Sequence, residues 1–201
     1  MKILFSPFSP YVRKCLVAAS ELGLSDRLEL LPSNVHPVNR DKSVIAVNPL
    51  GKIPTLHTDD GQVLYDSRVI CEYLNDLAGG SLIPAAGASR WQTLTLQAMG
   101  DGMLDAAIIA RYEDIARPDE LKWPQWRAAQ LDKYETSLAH LDAHPDLLAG
   151  RVDLGAITIG CALWYLDLRF PDFDWRAGHA PTAHWYLEFS KRPSMARTWS
   201  L

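Results

Sequence analysis

Cysteine is scarce in this chain. Cys15, Cys71 and Cys161 are the only three in 201 residues, and no two are close in sequence. An odd number at these spacings leaves no CxxC redox motif and no zinc-type cluster, so a reducing, cytoplasmic setting without a metal is expected. Positive charge is not in excess. Twenty Lys and Arg stand against 24 Asp and Glu, a net charge of −4. Nucleic-acid and anionic-membrane partners call for a basic surface, so neither is expected. Long apolar runs are missing too. The longest without a charge, Leu154 to Leu166, has 13 residues, against about 20 needed to span a bilayer. Near the start the apolar stretch is only Ile3 to Phe5 before Pro7 and Pro10, which is not the pattern of a secretion leader. Tryptophan is absent from the first 90 residues. Trp91, Trp123, Trp126, Trp164, Trp175, Trp185 and Trp199 all follow, so the two parts of the chain are built from different material.

What is present reads as ordinary globular protein, with 48% apolar and 22% charged residues. The length suits one large domain or two small ones with a core that needs no staples. Residues 2–6 (KILFS) predict a short strand. Ser9-Pro10 follows as an N-cap and a first-turn proline. Val12, Cys15, Leu16, Ala19 and Leu22 then recur at helical spacing until Gly23. Leu28 to Leu31 is a second strand. Residues 34–48 read as a loop with one helical turn or two. Ile53–His57 and Gln62–Tyr65 flank the turn signal TDDG and predict a hairpin. Asp66-Ser67 opens a helix carrying Val69, Ile70, Tyr73, Leu74 and Leu77 and closed by Gly79-Gly80. This order, β-α-β then β-β-α, predicts a parallel right-handed crossover joined to an antiparallel hairpin.

Residues 81–89 (SLIPAAGAS) read as a linker. Beyond it only helical patterns occur: Trp91–Ala116, Pro124–Leu141, an all-round apolar helix Leu154–Leu168 that should be buried, and a last short helix Thr182–Ser190. The expected domains are residues 1–80 and 90–201.

The strand–Ser-Pro–helix start, NPLGKIPTL, LYDSRVICEYL and GCALWYLDLRFP occur in order along essentially the whole chain. Together they resemble the cytosolic glutathione transferase superfamily, and SPYVRK with GCALWYLDLRFP resembles a bacterial serine-type subgroup. The resemblance implies an α/β thioredoxin-like N-terminal domain with a mixed four-stranded sheet, followed by an all-α helical-bundle C-terminal domain. It implies glutathione as co-substrate, a small electrophilic substrate or peroxide, a homodimer and a role in detoxification. The alternative is a non-catalytic glutathione- or protein-binding member of the same fold.

The site residues follow from the same motifs. Ile53-Pro54 is cis in the family, which turns the Ile53 backbone outward to pair with an extended peptide such as glutathione; read alone, it is a proline at the start of a strand. Asp66-Ser67 can cap a helix, and the same helix start can take a carboxylate. Ser9 is the proposed catalytic group, with Ser6 as the alternative; Ser9 can also be an N-cap and nothing more. A hydroxyl donor and a helix N-terminus both favour a thiolate. Lowering a thiol pKa by about two units corresponds to roughly 2.7 kcal/mol of preferential thiolate stabilisation. No cysteine lies at residues 6–12, so a mixed disulfide with glutathione, and with it glutaredoxin-like chemistry, is not expected.

Lys52, Arg68 and His36 lie where an anionic ligand could use them, although exposed lysines are commonly just solvated. Phe8, Met103, Ile108, Arg111 and Tyr112 are candidates for the second-substrate pocket, since the helix from Trp91 should face the N-terminal domain. Asp153 can cap the buried helix, but Ala156 removes the acidic residue usual in the family. His140 and His144 have metal-ligand spacing, yet a helix C-terminal cation role fits them better.

Overall fold

The computed structural model describes residues 1–198; Trp199, one of the seven tryptophans, lies outside them. The chain forms two compact units. One comprises Met1–Ala85 with the segment beginning at Pro193, and the other Ala86–Arg192.

In the first unit a four-stranded sheet runs in the order β2-β1-β3-β4. β1 (Lys2–Phe5) pairs parallel with β2 (Glu29–Pro32) and antiparallel with β3 (Thr55–His57), which pairs antiparallel with β4 (Val63–Leu64). The crossover from β1 to β2 is α1 (Pro10–Glu21), and a short α2 (Lys42–Val47) precedes β3. α3 (Ser67–Leu77) packs beside α1. The core of this unit is Ile3, Val12, Val17, Leu56, Ile70 and Leu74, all fully buried, each contributing about 1.5–3 kcal/mol of hydrophobic stabilisation. Cys15 and Cys71 are also buried, as free thiols with sulfurs 3.8 Å apart across α1 and α3.

The second unit is helical: α4 (Gly87–Ile115), α5 (Pro124–Ala143), α6 (Leu154–Arg169) and α7 (Ala180–Phe189). Every residue of α6 from Leu154 to Leu166 is buried, as the all-round apolar pattern predicts. Asp153 caps α6 by accepting from the Ala156 N–H at 2.9 Å, and its other oxygen accepts from Thr93 Oγ1 at 2.9 Å and from Arg151. Those two partners hold the cap in place where Ala156 offers no carboxylate of its own. α4 and α6 approach closely because glycine stands at the contacts. A Cβ at Gly100 would meet Thr158 Cγ2 at 2.8 Å, and one at Gly155 would meet Leu96 Cβ at 2.8 Å.

Three sequence expectations need correction. The linker is shorter than residues 81–89, because α4 already starts at Gly87. The helix at 180–189 is not the last, since α8 (Pro193–Arg197) follows. And residues 193–198 group with the first unit rather than the second. Side chains of α1 hold this segment. Arg13 is buried and donates from Nη2 to the Met195 carbonyl at 2.8 Å and from Nη1 to the Thr198 carbonyl at 3.0 Å. Glu21 accepts from Ser194 Oγ beside it.

Candidate functional site

The first unit gathers three element ends. β1 stops at Phe5, and the chain turns tightly through Pro7 and Phe8, closed by the Ser9 N–H donating to the Ser6 carbonyl at 3.1 Å. Both candidate serines therefore belong to one turn. Ser9 is the N-cap of α1, and its Oγ accepts from the Val12 N–H at 3.3 Å. Pro10 at the first helical position suits the entry because it has no N–H to satisfy. The Ser9 oxygen is thus engaged with the helix, while its O–H hydrogen can still be donated outward.

Ile53–Pro54 is a cis peptide bond. The ladder between β1 and β3 begins only at Thr55, so the Ile53 backbone groups stand outside it. The loop that presents them is braced by Asn48, a residue the motif reading did not single out. Its Nδ2 donates to the Lys52 carbonyl and to Thr55 Oγ1, both at 3.0 Å, and its Oδ1 accepts from the Leu50 N–H at 3.0 Å. Thr55 Oγ1 donates to the same Lys52 carbonyl at 2.9 Å. Asn48 and Thr55 are both buried. Within this segment Gly51 takes a φ of +62°, which a side chain would disfavour.

Asp66 is the N-cap of α3, accepting from the Arg68 N–H at 2.9 Å, and Ser67 is the buried first residue of the helix. The Arg68 guanidinium also binds Asp66 at 2.7 Å. That ion pair holds the carboxyl below its usual range against the opposing effect of burial, so Asp66 is anionic at neutral pH. The first-turn N–H groups of α3 have no intrahelical acceptor, which makes this end receptive to an anion. Lys52 is exposed. His36 uses Nδ1 locally, accepting from the Val38 and Asn39 N–H groups at 3.2 and 3.1 Å.

Among the second-substrate candidates, Phe8 is exposed in the first unit. In the second, Met103 is buried with the α4 core, and Ile108, Arg111 and Tyr112 are half-buried. The His140 and His144 rings lie tilted against each other with centroids 4.4 Å apart, and His144 Nδ1 donates to the His140 carbonyl at 2.9 Å, turned back onto the end of α5. Among the described residues no group of three His, Cys, Asp or Glu side chains could hold a metal ion. No helix among them is long and apolar enough to cross a membrane.

A polar cluster away from these ends joins α5 to the start of α7. His179 Nδ1 lies 2.7 Å from Asp142 and Nε2 lies 3.1 Å from Glu135, while Asp142 also accepts from the N–H and hydroxyl of Thr182. Burial disfavours the charged ring, but the two carboxylates outweigh it and raise the His179 pKa. Sequence reading missed this cluster because its members are 37 and 44 residues apart.

Two family models and several known proteins match the chain. The N-terminal-domain model of glutathione S-transferases matches residues 8–77, and the C-terminal-domain model matches residues 124–188. The chain is 30% identical to the GST-like protein YibF of Escherichia coli K12, covering 98% of each. It is 47% identical to a glutathione transferase family member from Pseudomonas fluorescens Pf-5 solved with bound glutathione, with a TM-score of 0.95 over 98% of this chain and 97% of that one. A structure from the same organism with bound S-(propanoic acid)-glutathione is 46% identical, with a TM-score of 0.92 over 100% and 99%. Elongation factor 1-gamma of Bos taurus is 24% identical over 90% of this chain, which spans only 41% of that protein. A thioredoxin-like first unit, a helical second unit, and two domain models matched in order place the chain in the glutathione S-transferase family.

Proposed function

We propose that the protein is a glutathione transferase of a serine type, which activates the glutathione thiol for attack on a small electrophile or a peroxide. The observation that carries this is the Ser9 hydroxyl. Its oxygen accepts from the Val12 N–H at the start of α1, which leaves the hydrogen to donate to a sulfur placed before the helix. In this reading the outward backbone of Ile53 pairs with the peptide, and the γ-glutamyl carboxylate meets the first turn of α3 at Ser67. The Asp66 carboxylate faces the ligand ammonium, with Lys52 and His36 at the other end. Its support is the cis bond at Ile53–Pro54, the anionic Asp66, and relatives solved with glutathione or its S-conjugate.

A free thiol near pKa 8.5 is only a few per cent ionised at neutral pH. The Ser9 hydrogen bond and the α1 terminus stabilise the thiolate, and the proton leaves to water. The sulfur then forms a bond to the electrophilic carbon as the leaving group departs with its electron pair. Homodimer assembly and a cytoplasmic location belong to the same proposal.

The test is conjugation of a chloronitroarene by wild type, Ser9→Ala and Ser6→Ala. Ser9→Ala should fall at least tenfold below Ser6→Ala in kcat/KM (about 1.4 kcal/mol), with a raised pH for half-maximal rate. Equal activity of the two variants would sink the serine mechanism. A second reading, binding without turnover, draws on the likeness to elongation factor 1-gamma, a protein not named for transfer chemistry. Retention on immobilised glutathione without turnover of electrophiles or peroxides would favour it.

A further inference from the structure

α2 has six residues, Lys42–Val47, far fewer than a helix requires to stand by its own hydrogen bonds. The segment that leads from β2 to Ile53 is therefore held by its side chains. Before the helix, Asp41 caps it by accepting from the Ser43 N–H at 2.8 Å. After it, the Asn48 N–H donates to the Val44 carbonyl at 2.8 Å, and the Asn48 carbonyl accepts from the Gly51 N–H at 2.7 Å. Arg40 precedes the helix but reaches its far end. Its Nη2 donates to the Pro49 carbonyl at 2.7 Å. One side chain thus clips the entry of α2 to its exit.

The guanidinium occupies a space that only glycine leaves open. A Cβ at Gly51 would meet Arg40 Nη2 at 3.1 Å, Arg40 Nε at 3.2 Å and Ile45 Cγ1 at 3.1 Å, tighter than ordinary van der Waals contact. Glycine at 51 therefore meets two demands, the φ of +62° and room for a flat cation. Asn48 braces the same turn from the buried side, through the Lys52 carbonyl and Thr55 Oγ1. Arg40 and Pro49 are exposed, so water can replace their hydrogen bond and its loss leaves no buried group unsatisfied. What the bond changes is local: how much of the time the turn two residues ahead of Ile53 keeps this shape.

We propose that Arg40 is a positioning residue for glutathione, acting through the Pro49–Gly51 turn on the Ile53 backbone that pairs with the peptide. This rests on the transferase reading. A turn that is clipped only part of the time binds with an affinity reduced by that fraction. The loss falls on glutathione affinity and not on thiol activation, because Ser9 belongs to a different turn.

Calorimetric titration with glutathione and steady-state conjugation of a chloronitroarene test it, in wild type, Arg40→Gln and Arg40→Lys. Arg40→Gln should bind glutathione about fivefold more weakly, with kcat at saturating glutathione within about twofold of wild type. Arg40→Lys keeps a donor for the Pro49 carbonyl and should weaken binding by about twofold or less. The ratio of wild-type to Arg40→Gln affinity should be the same at about 20 and about 500 mM sodium chloride, since an exposed ion pair with the ligand would be screened at the higher salt. Wild-type affinity in Arg40→Gln overturns the proposal, and so does an Arg40→Lys as weak as Arg40→Gln. A loss that disappears at high salt makes Arg40 a direct partner of a ligand carboxylate and overturns the positioning role. A fall in kcat as large as the fall in affinity overturns it as general damage to the unit. Failure of wild type to bind glutathione removes the transferase reading, and this inference with it.

Discussion

In the first unit the three principal candidate groups sit at the ends of elements: Ser9 ahead of α1, Ile53 ahead of β3, Asp66 ahead of α3. In the second, the pocket candidates Met103, Ile108, Arg111 and Tyr112 lie along one helix, α4, which packs against α6. The two arrangements carry different liabilities. A group at an element end is positioned by a cap or a turn, worth about 1 kcal/mol, so its loss should show in binding before it shows in stability. A side chain on a packed helix depends on the helix pair staying in register, so damage to the core should reach the site.

The sharpest way to break that contrast is Trp164→Ala. Trp164 is 1% exposed in α6. Its removal should cost about 3–5 kcal/mol, as for other buried aromatics cut to alanine. All six described tryptophans lie in the second unit, so intrinsic fluorescence during urea unfolding follows that unit chiefly. A loss below about 1 kcal/mol would mean that α6 does not organise the second unit through this side chain.

A smaller effect comes from His179. Its folded pKa is raised because both ring nitrogens face carboxylates, Glu135 and Asp142. The stabilisation is therefore fully present below the unfolded value of about 6.5 and is lost as pH rises through the folded value. The urea midpoint of the wild type should decline across that window, and His179→Gln should flatten the decline. With one charge-assisted hydrogen bond worth about 1.5–3 kcal/mol, the variant should also be weaker at the acid end of the window. A wild-type midpoint that does not change with pH there would show that the ring is not charged in the folded state.

The contrast also explains what could be read before any coordinates. Ser9-Pro10, Asp66-Ser67 and the TDDG hairpin are local devices. Capping and turn chemistry act over three or four residues, so their positions follow from the chain itself. The buried α6 was legible because its apolar pattern runs unbroken for more than three turns. Asn48 was not, since its role is to tie Lys52 to Thr55 in space, and an Asn-Pro pair reads only as a turn. Nor was α8, a five-residue helix with no periodicity to detect. Its anchor, Arg13, lies 182 residues earlier in the chain and reads as a solvated arginine until it is seen buried.

The finest test lies in the first unit, at Ser9, where one oxygen is assigned two tasks. As N-cap it accepts from the Val12 N–H, and as catalytic group it donates to sulfur. Alanine and glycine separate these tasks, because both delete the hydroxyl but differ as caps. At an N-cap position alanine costs about 1 kcal/mol and glycine only a few tenths. Ser9→Gly should therefore unfold at nearly the wild-type urea midpoint and Ser9→Ala at a lower one. If the hydroxyl acts on the thiolate, both variants should lose conjugating activity to the same degree, at least tenfold. If activity instead followed stability, with Ser9→Gly close to wild type, the residue would be a cap alone, and thiolate stabilisation would rest on the α1 terminus or pass to Ser6.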